Sequence, residues 1–253
     1  MDMKRNTIIL SGWAVDCFVW NPLIHLFKKE HNVTIVDWQD VGSLEGFKEK
    51  GIGAIEKLGQ EPFTLIGWSL GSLVAIELAT TYQKQVESLI LFSATAKFVQ
   101  DPKEDYSIGW KKRVVERMKK GLDLDAEKTL DSFYQQLFSE NERINNVSDA
   151  FFNTVQNHQD HLPSIEALIL GLEYLIQADV RGKLDHFDIP TLLIHGEDDV
   201  ICPVEGATYL HQHLKNSQLV TLKETGHVPF FSEKNESLSS MKTFLAREGQ
   251  SYD

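Results

Sequence analysis

Residues 62–76, PFTLIGWSLGSLVAI, place one serine between two glycines, at the point where a strand-like apolar run is followed by a helix-forming run. Residues 63–66 are apolar or β-branched and predict a strand, and residues 70–82 have the composition of a helix. A glycine in a helix costs about 1 kcal/mol relative to alanine, so packing alone does not explain this arrangement. The stretch predicts a tight strand-to-helix turn that presents Ser69.

The segments around this turn alternate between strand and helix patterns. Strands are predicted at residues 6–10, 33–38, 63–66, 86–92, 191–195 and 219–222. Helices are predicted at residues 21–29, 44–58, 70–82, 204–214 and 237–246. Continuous apolar strands separated by helices imply a parallel sheet with helices on both faces. The predicted class is therefore α/β.

Residues 97–179 interrupt this alternation, because helical patterns replace the strands there. Apolar residues recur at helical spacing on two stripes. The first stripe is Trp110, Val114, Met118 and Leu122, and the second, after Pro163, is Ile165, Leu168, Leu172, Leu175 and Ile176. We predict a helical cap at residues 97–179, inserted into a core domain made of residues 1–96 and 180–253.

Length and composition limit the function classes. The 253 residues suffice for one large domain with an insertion. The net charge of -12 disfavours nucleic-acid partners and anionic membrane surfaces. Cys17 and Cys202 have no metal-ligand or CxxC spacing, so we expect a reducing compartment and a cytoplasmic protein. Ser11 and Gly12 break the first apolar run, which favours a strand over a signal peptide, and no membrane span is expected.

Residues 67–71, GWSLG, fit the pattern G-x-S-x-G with a strand before it and a helix after it. A hydroxyl is a weak nucleophile without a base, so this motif calls for a later acid and histidine. Asp199 and His227 each follow a predicted strand, in the required chain order. Parallel strand ends converge at one edge of a sheet. We therefore expect Ser69 as nucleophile, His227 as general base and acid, and Asp199 as the residue that orients His227.

The identity of the acid has an alternative in Asp198. Asp199 is favoured because, counted from Gly196, it completes a G-x-x-D spacing. Asp198 or Glu197 is then expected to be a turn or capping residue.

A tetrahedral intermediate also requires two donors for its oxyanion. We expect the backbone N–H of Leu70 and that of Trp13, which lies in the loop after the first strand. Trp13, Trp68 and Phe133 are predicted to line the substrate pocket, and the alternative for the two tryptophans is a place in the core.

The histidines outside this set do not predict a metal site. His195 is expected to end a strand as a packed or hydrogen-bonded residue. His211 and His213 point to different faces of a helix. His158 and His161 could share a helix face, but no carboxylate or cysteine accompanies them in a recognisable pattern. No metal and no cofactor are predicted.

These residues together resemble the capped α/β-hydrolases. The chain is similar over nearly its full length to the pimeloyl-[acyl-carrier protein] methyl ester carboxylesterases of biotin synthesis. The resemblance is carried by SGW near residue 12, GWSLGS around Ser69, LGLEYL in the last cap helix and GHVPFFS around His227. Ser11 stands where most relatives have histidine, and Ser72 where a third glycine is common. Both changes should preserve the backbone donors.

The resemblance implies hydrolysis of a methyl ester on a chain carried by a small acidic protein. An enzyme of charge -12 needs a local basic surface to dock such a carrier. The candidates, all within residues 110–120, are Lys111, Lys112, Arg113, Arg117, Lys119 and Lys120. The alternative for them is a solvated face of an amphipathic helix.

Two other functions stay open at this point. The chain could be a broader short-acyl carboxylesterase or another hydrolase of a small ester substrate, because one triad serves many substrates. It could also be a non-catalytic binding protein on the same fold. A complete triad disfavours the binding protein, because binding alone does not require an ordered acid, base and nucleophile.

Overall fold

The computed structural model describes residues 4–158, 162–186 and 188–248. Its sheet has six strands in the order β2-β1-β3-β4-β5-β6, and each neighbouring pair is parallel. The strands are β1 (Arg5–Leu10), β2 (His31–Val36), β3 (Phe63–Trp68), β4 (Val86–Phe92), β5 (Thr191–Gly196) and β6 (Ser217–Leu222). The predicted α/β class with a parallel sheet is confirmed.

Helices cover the centre of this sheet on both faces. Every residue of β3 and β5 is buried, although successive side chains of a strand point to opposite faces. The helices in the alternating part of the chain are α1 (Asn21–Phe27), α2 (Gly46–Glu56), α3 (Leu70–Thr81), α9 (Val204–His213), α10 (Pro229–Ser232) and α11 (Lys234–Glu248). No described helix has both the length and the apolar character needed to span a bilayer.

In the described part of the segment between β4 and β5, which is predicted as a cap, there are five further helices. They are α4 (Lys112–Leu124), α5 (Ala126–Tyr134), α6 (Glu140–Ile144), α7 (Val147–Gln156) and α8 (Ile165–Gln177). An antiparallel bridge between Lys97 and Asp179 joins the two ends of this segment. We call residues 97–179 the cap, and the cap as a separate domain stays a prediction.

An ion-pair cluster holds these two ends together. Lys97 Nζ lies 2.7 Å from Asp101 Oδ2 and 2.8 Å from Asp179 Oδ2. Arg181 pairs with Asp179 and with Glu104. Burial opposes ionisation of Asp179, but hydrogen bonds from Arg181 and Lys97 hold its pKa well below the usual range. The carboxylates of Asp101, Glu104 and Asp179 lie close enough to hold a cation, but the two basic side chains already pair with them.

Several details of the predicted elements are wrong. Trp110 is predicted on a helical stripe, but it lies two residues before α4 begins. Ile165 was placed on a buried stripe, but it is 48% exposed because it is the first residue of α8, ahead of the packed turns. Strand β2 ends at Val36, two residues before the predicted end. Trp38 is buried but not in the strand: its indole N–H donates to the carbonyl of Ser11 over 2.8 Å.

Candidate active site

Ser69 occupies a strained turn between β3 and α3. Its φ of 54° lies in the left-handed region that non-glycine residues avoid. The flanking glycines are sterically required: a Cβ on Gly67 would lie 2.7 Å from Cα of Ser72, and one on Gly71 would overlap the carbonyl of Leu10. The motif is therefore explained by close packing of α3 against β1 and β3, which presents Ser69 at the carboxyl edge of the sheet.

The structure brings Ser69, His227 and Asp199 into one hydrogen-bonded chain. His227 Nδ1 lies 2.7 Å from Asp199 Oδ2, and His227 Nε2 lies 2.9 Å from Ser69 Oγ. A carboxylate can only accept, so Nδ1–H donates to Asp199 and the Ser69 hydroxyl donates to Nε2. All three residues are buried. In this tautomer the imidazole can accept the serine proton.

Asp199 is held as an ionised carboxylate. Its Oδ1 accepts from the backbone N–H groups of Ile201 and Cys202, at 2.9 and 2.8 Å. His195 Nε2 lies 3.3 Å from Oδ2 and donates mainly to the carbonyl of Cys202, at 2.7 Å. Burial acts to raise the pKa of Asp199, but the neighbouring His227 and the histidine hydrogen bonds outweigh it and hold that pKa far below its ordinary value.

The alternative acid, Asp198, is not the carboxylate that pairs with His227. Asp198 is exposed, and its backbone N–H donates to the carbonyl of Thr225 over 3.0 Å. This bond connects the loop of Asp199 to the loop of His227, so Asp198 contributes through its backbone.

A small cavity opens onto Ser69, and its volume accessible to water is about 10 Å³. The remaining lining side chains are apolar: Trp13, Phe98, Trp110, Met118, Phe133, Leu172, Leu175 and Ile201. Trp13 and Phe133 pack edge to face with ring centroids 4.7 Å apart, and the indole N–H of Trp13 donates to the carbonyl of Leu168 over 2.8 Å. The cavity thus has the composition of a site for a short aliphatic or aromatic group.

Trp68 does not line this cavity, contrary to the sequence prediction. It is 1% exposed, packs edge to face on Phe230 and donates its indole N–H to the carbonyl of His227 over 2.8 Å. Trp68 therefore supports the backbone of His227 from the core. It is thus a core residue, which was the alternative interpretation of the sequence.

Several lining residues were not assigned to the site from the sequence. Helical spacing was the only sequence feature that pointed to four of them, and it predicted packing rather than a place in the cavity. They are Trp110, Met118, Leu172 and Leu175. Phe98 and Ile201 gave no signal, since they lie in loops. Cys202 was considered only for spacing; burial and the charge of Asp199 raise the pKa of its thiol, which keeps it protonated beside Ser69.

The residues expected to supply the oxyanion donors are both near Ser69. Leu70 begins α3 directly after it, and Trp13 lines the same cavity. Ser72, one of the two departures from the family pattern, donates its hydroxyl to the carbonyl of Ser69 over 2.5 Å. The other departure, Ser11, accepts from the indole N–H of Trp20 over 3.3 Å. The role of the two backbone N–H groups stays a prediction.

The predicted basic residues lie at the start and on the outer side of α4. The exposed members are Lys111, Lys112, Arg113, Arg117 and Lys120. Lys119 differs, since it pairs with Glu173 of α8 and lies 3.5 Å from Glu116. We call the exposed members the α4 basic face. Met118 of the same helix lines the cavity, so α4 separates the basic face from the cavity by about one helix diameter of 10–12 Å.

The remaining histidines have ordinary partners where they are described. His158 lies just after the end of α7, and its Nδ1 is 2.8 Å from the carbonyl of Thr154. His211 and His213 are exposed on α9. His161 lies outside the described residues.

Comparisons with known proteins agree with this fold. A family model described as the alpha/beta hydrolase fold matches residues 52–234. A pimeloyl-[acyl-carrier protein] methyl ester esterase of Nitrosospira multiformis is 28% identical over 250 residues, covering 94% of each chain. One of Nitrosomonas europaea is 29% identical, covering 92% of this chain and 93% of its own.

Solved structures show the same fold. An esterase from Exiguobacterium antarcticum superposes with a TM-score of 0.85 at 21% identity, covering 97% of this chain and 93% of its own. A bromoperoxidase from Bacillus anthracis superposes with a TM-score of 0.87 at 22% identity, covering 96% and 92%. With the family model matching most of its length, this chain belongs to the alpha/beta hydrolase fold family.

Proposed function

We propose that the protein is a carboxylic ester hydrolase of the serine type, with Ser69, His227 and Asp199 as its catalytic triad. The observation that carries this proposal is the chain of hydrogen bonds from Ser69 through His227 to Asp199, at 2.9 and 2.7 Å, beneath an apolar cavity. Curated relatives over almost the whole chain are named esterases.

In the first half of the reaction, Ser69 Oγ attacks the ester carbonyl carbon while its proton passes to His227 Nε2. The backbone N–H groups of Leu70 and Trp13 stabilise the oxyanion that forms. The bond between the carbonyl carbon and the alcohol oxygen then breaks, and His227 returns its proton to the departing alcohol. Asp199 stabilises the imidazolium throughout.

In the second half, water attacks the acyl-enzyme with His227 again as base. The carboxylic acid leaves, and the Ser69 hydroxyl is restored. Every proton moves through one imidazole, so the cycle requires no cofactor.

The substrate we propose is the methyl ester of a pimeloyl chain on an acyl-carrier protein, with methanol as the released alcohol. The relatives carry this substrate in their names. The apolar cavity suits the methylene chain, and the α4 basic face is a docking surface of the sign that an acidic carrier requires. A carrier of this kind places the reaction in the cytoplasm, where we continue to expect the protein.

A less specific esterase is the second candidate, favoured by the small volume of the cavity, which suits short acyl groups. Competition between carrier-bound pimeloyl methyl ester and p-nitrophenyl esters of increasing length separates the two. Preference for the carrier-bound ester supports the first candidate, and preference for a short free ester supports the second.

A fluorophosphonate probe tests the nucleophile. The wild-type protein should become labelled, and Ser69→Ala should not. Labelling that persists in the variant would remove Ser69 as nucleophile, and a wild type that neither reacts with the probe nor hydrolyses any of these esters would favour a binding protein.

A further inference from the structure

A short stretch of the cap, residues 137–142, contacts the loop that carries His227. The backbone N–H of His227 donates to the carbonyl of Leu137 over 2.7 Å. The backbone N–H of Gly226 donates to Glu142 Oε2 over 2.9 Å, and the hydroxyl of Ser139 donates to the carbonyl of Glu224 over 2.5 Å. These bonds join segments about 85 residues apart in the chain. We call this set of contacts the clasp.

Glu142 is the central side chain of the clasp. It is 3% exposed, and its Oε2 also accepts from the backbone N–H of Ser139 over 2.7 Å. The Ser139 hydroxyl in turn accepts from the backbone N–H of Glu142, which makes a capping box at the start of α6. Oε1 is buried and has no hydrogen-bond partner among the described residues. Burying a carboxylate costs free energy. A carboxylate that only caps a helix end can remain exposed and avoid this cost.

The loop shape depends on the clasp. Glu224 has a φ of 55°, a conformation that costs a non-glycine residue free energy and persists only where neighbours hold it. Gly226 has no room for a side chain: a Cβ would lie 2.5 Å from the carbonyl oxygen of Leu137 and 2.9 Å from the nitrogen of Ser139. The backbone on the amino side of His227 therefore rests directly on the cap.

We propose that Glu142 is a positioning residue for the catalytic base: its carboxylate holds the peptide of Gly226 and thereby sets where His227 stands relative to Ser69. This inference rests on the proposed role of His227 as base. Glu142 touches no reacting atom and acts only through the backbone. A displacement of about 1 Å in a catalytic group can cost about a hundredfold in rate. Loss of the clasp can therefore lower the reaction rate strongly if it moves His227.

The two variants that test this are Glu142→Ala and Glu142→Gln in the full chain, assayed with a short p-nitrophenyl ester. Alanine removes the acceptor, so kcat should fall about 10- to 100-fold, while KM should change little because Glu142 does not line the cavity. Glutamine keeps a side-chain oxygen that accepts both N–H groups and should retain kcat within about threefold.

The matched control is Asp125→Ala, which removes another carboxylate cap within the same cap segment. Asp125 accepts from the backbone N–H of Lys128 over 3.0 Å at the start of α5 and lies outside the clasp. It should keep the wild-type kcat even where it lowers the melting temperature. A loss of kcat in Glu142→Ala alone therefore separates positioning from general destabilisation.

The inference is wrong if Glu142→Ala keeps the wild-type kcat, or if Glu142→Gln is as impaired as the alanine variant. Should Glu142→Ala fail to fold, Glu142→Asp replaces it: the shorter side chain draws the carboxylate away from the Gly226 N–H and should lower kcat, and an unchanged kcat would overturn the proposal.

Amide exchange at Gly226 gives a readout that does not depend on catalysis. Exchange should be slow in the wild type and in Glu142→Gln and faster in Glu142→Ala, and equal rates in all three would count against the clasp. If the wild type itself hydrolyses no ester and takes no fluorophosphonate, the proposed function fails whatever the exchange result, so the two failures are distinguishable.

Discussion

The carboxyl edge of the sheet and the cap contribute different things to the site. Ser69 follows β3 directly and Asp199 is the third residue after β5, and short-range turns fix their positions. The cavity walls contributed by Met118, Phe133 and Leu172 come from three cap helices, whose placement depends on long-range packing. Under the proposed function, the core supplies the reaction chemistry and the cap determines which ester reaches it. The clasp is the exception, since there the cap acts on the chemistry.

The largest effect should come from the core side, in Asp199→Asn. An amide in place of the carboxylate favours the wrong imidazole tautomer, so kcat for any ester should fall by about 10³–10⁴. Steady-state kinetics with a p-nitrophenyl ester measures this, with Asp198→Asn as the control that keeps activity. A small loss in Asp199→Asn, or an equal loss in the control, would mean that the acid is misassigned.

The next effect should come from charge reversal on the α4 basic face, in the combined variant of Lys112, Arg113 and Arg117 to Glu. Repulsion of an acidic carrier should lower kcat/KM for the carrier-bound ester about 10- to 1,000-fold at low salt. Hydrolysis of a small p-nitrophenyl ester should not change, because these side chains do not line the cavity. Loss of both activities together would contradict docking at this face.

Phe133→Ala should sharpen the view that the cap sets selectivity. Removal of the ring that packs on Trp13 enlarges the cavity, so the preferred acyl chain should become longer while activity on a short ester falls about tenfold, as the loss of 1–3 kcal/mol of contact suggests. A series of p-nitrophenyl esters measures the shift. An unchanged chain-length preference would show that Phe133 is not a wall of the acyl site.

The smallest effect is expected at the base of the cap, in Asp179→Asn. Loss of the pairs with Lys97 and Arg181 should lower the free energy of unfolding by about 1 kcal/mol at pH 7 and leave kcat unchanged. Because the folded-state pKa of Asp179 is depressed, its contribution is complete above the unfolded pKa of about 3.9 and is lost as the pH falls below it.

Urea unfolding of wild type and Asp179→Asn at pH 7 and at pH 3 measures this difference. The two stabilities should approach each other at the lower pH. A gap that stays constant would mean that the charge of Asp179 does not contribute.

The sequence predicted the parts of the molecule that short patterns encode. Strand composition, the two glycines beside Ser69 and the G-x-x-D spacing each reflect a local steric or chemical requirement, so the sheet and the grouping of Ser69, Asp199 and His227 could be anticipated. Trp13 and Trp68 show where local reading fails. Each tryptophan neighbours a functional position, yet only the packing of distant helices decides that one lines the cavity and the other supports His227 from the core.

The clasp shows the same limit of local sequence patterns, because a recognisable pattern there does not reveal a long-range contact. The S-x-x-E pattern at Ser139 and Glu142 is a local signal for a helix start. Nothing in that pattern reveals that the glutamate also accepts from Gly226, because the contact exists only once the cap has folded onto the core.

The clasp changes what counts as an exchangeable part of this enzyme. A helix graft from a related hydrolase could replace the whole insertion, from the point where it leaves the sheet after β4 to the point where it returns at β5. In this chain such a graft would discard residues 137–142 and with them the support of Gly226. The boundary of a transferable module therefore runs inside the insertion: α4, α5 and α8 can be replaced with the walls they provide, while residues 137–142, which include the start of α6, should stay with the host.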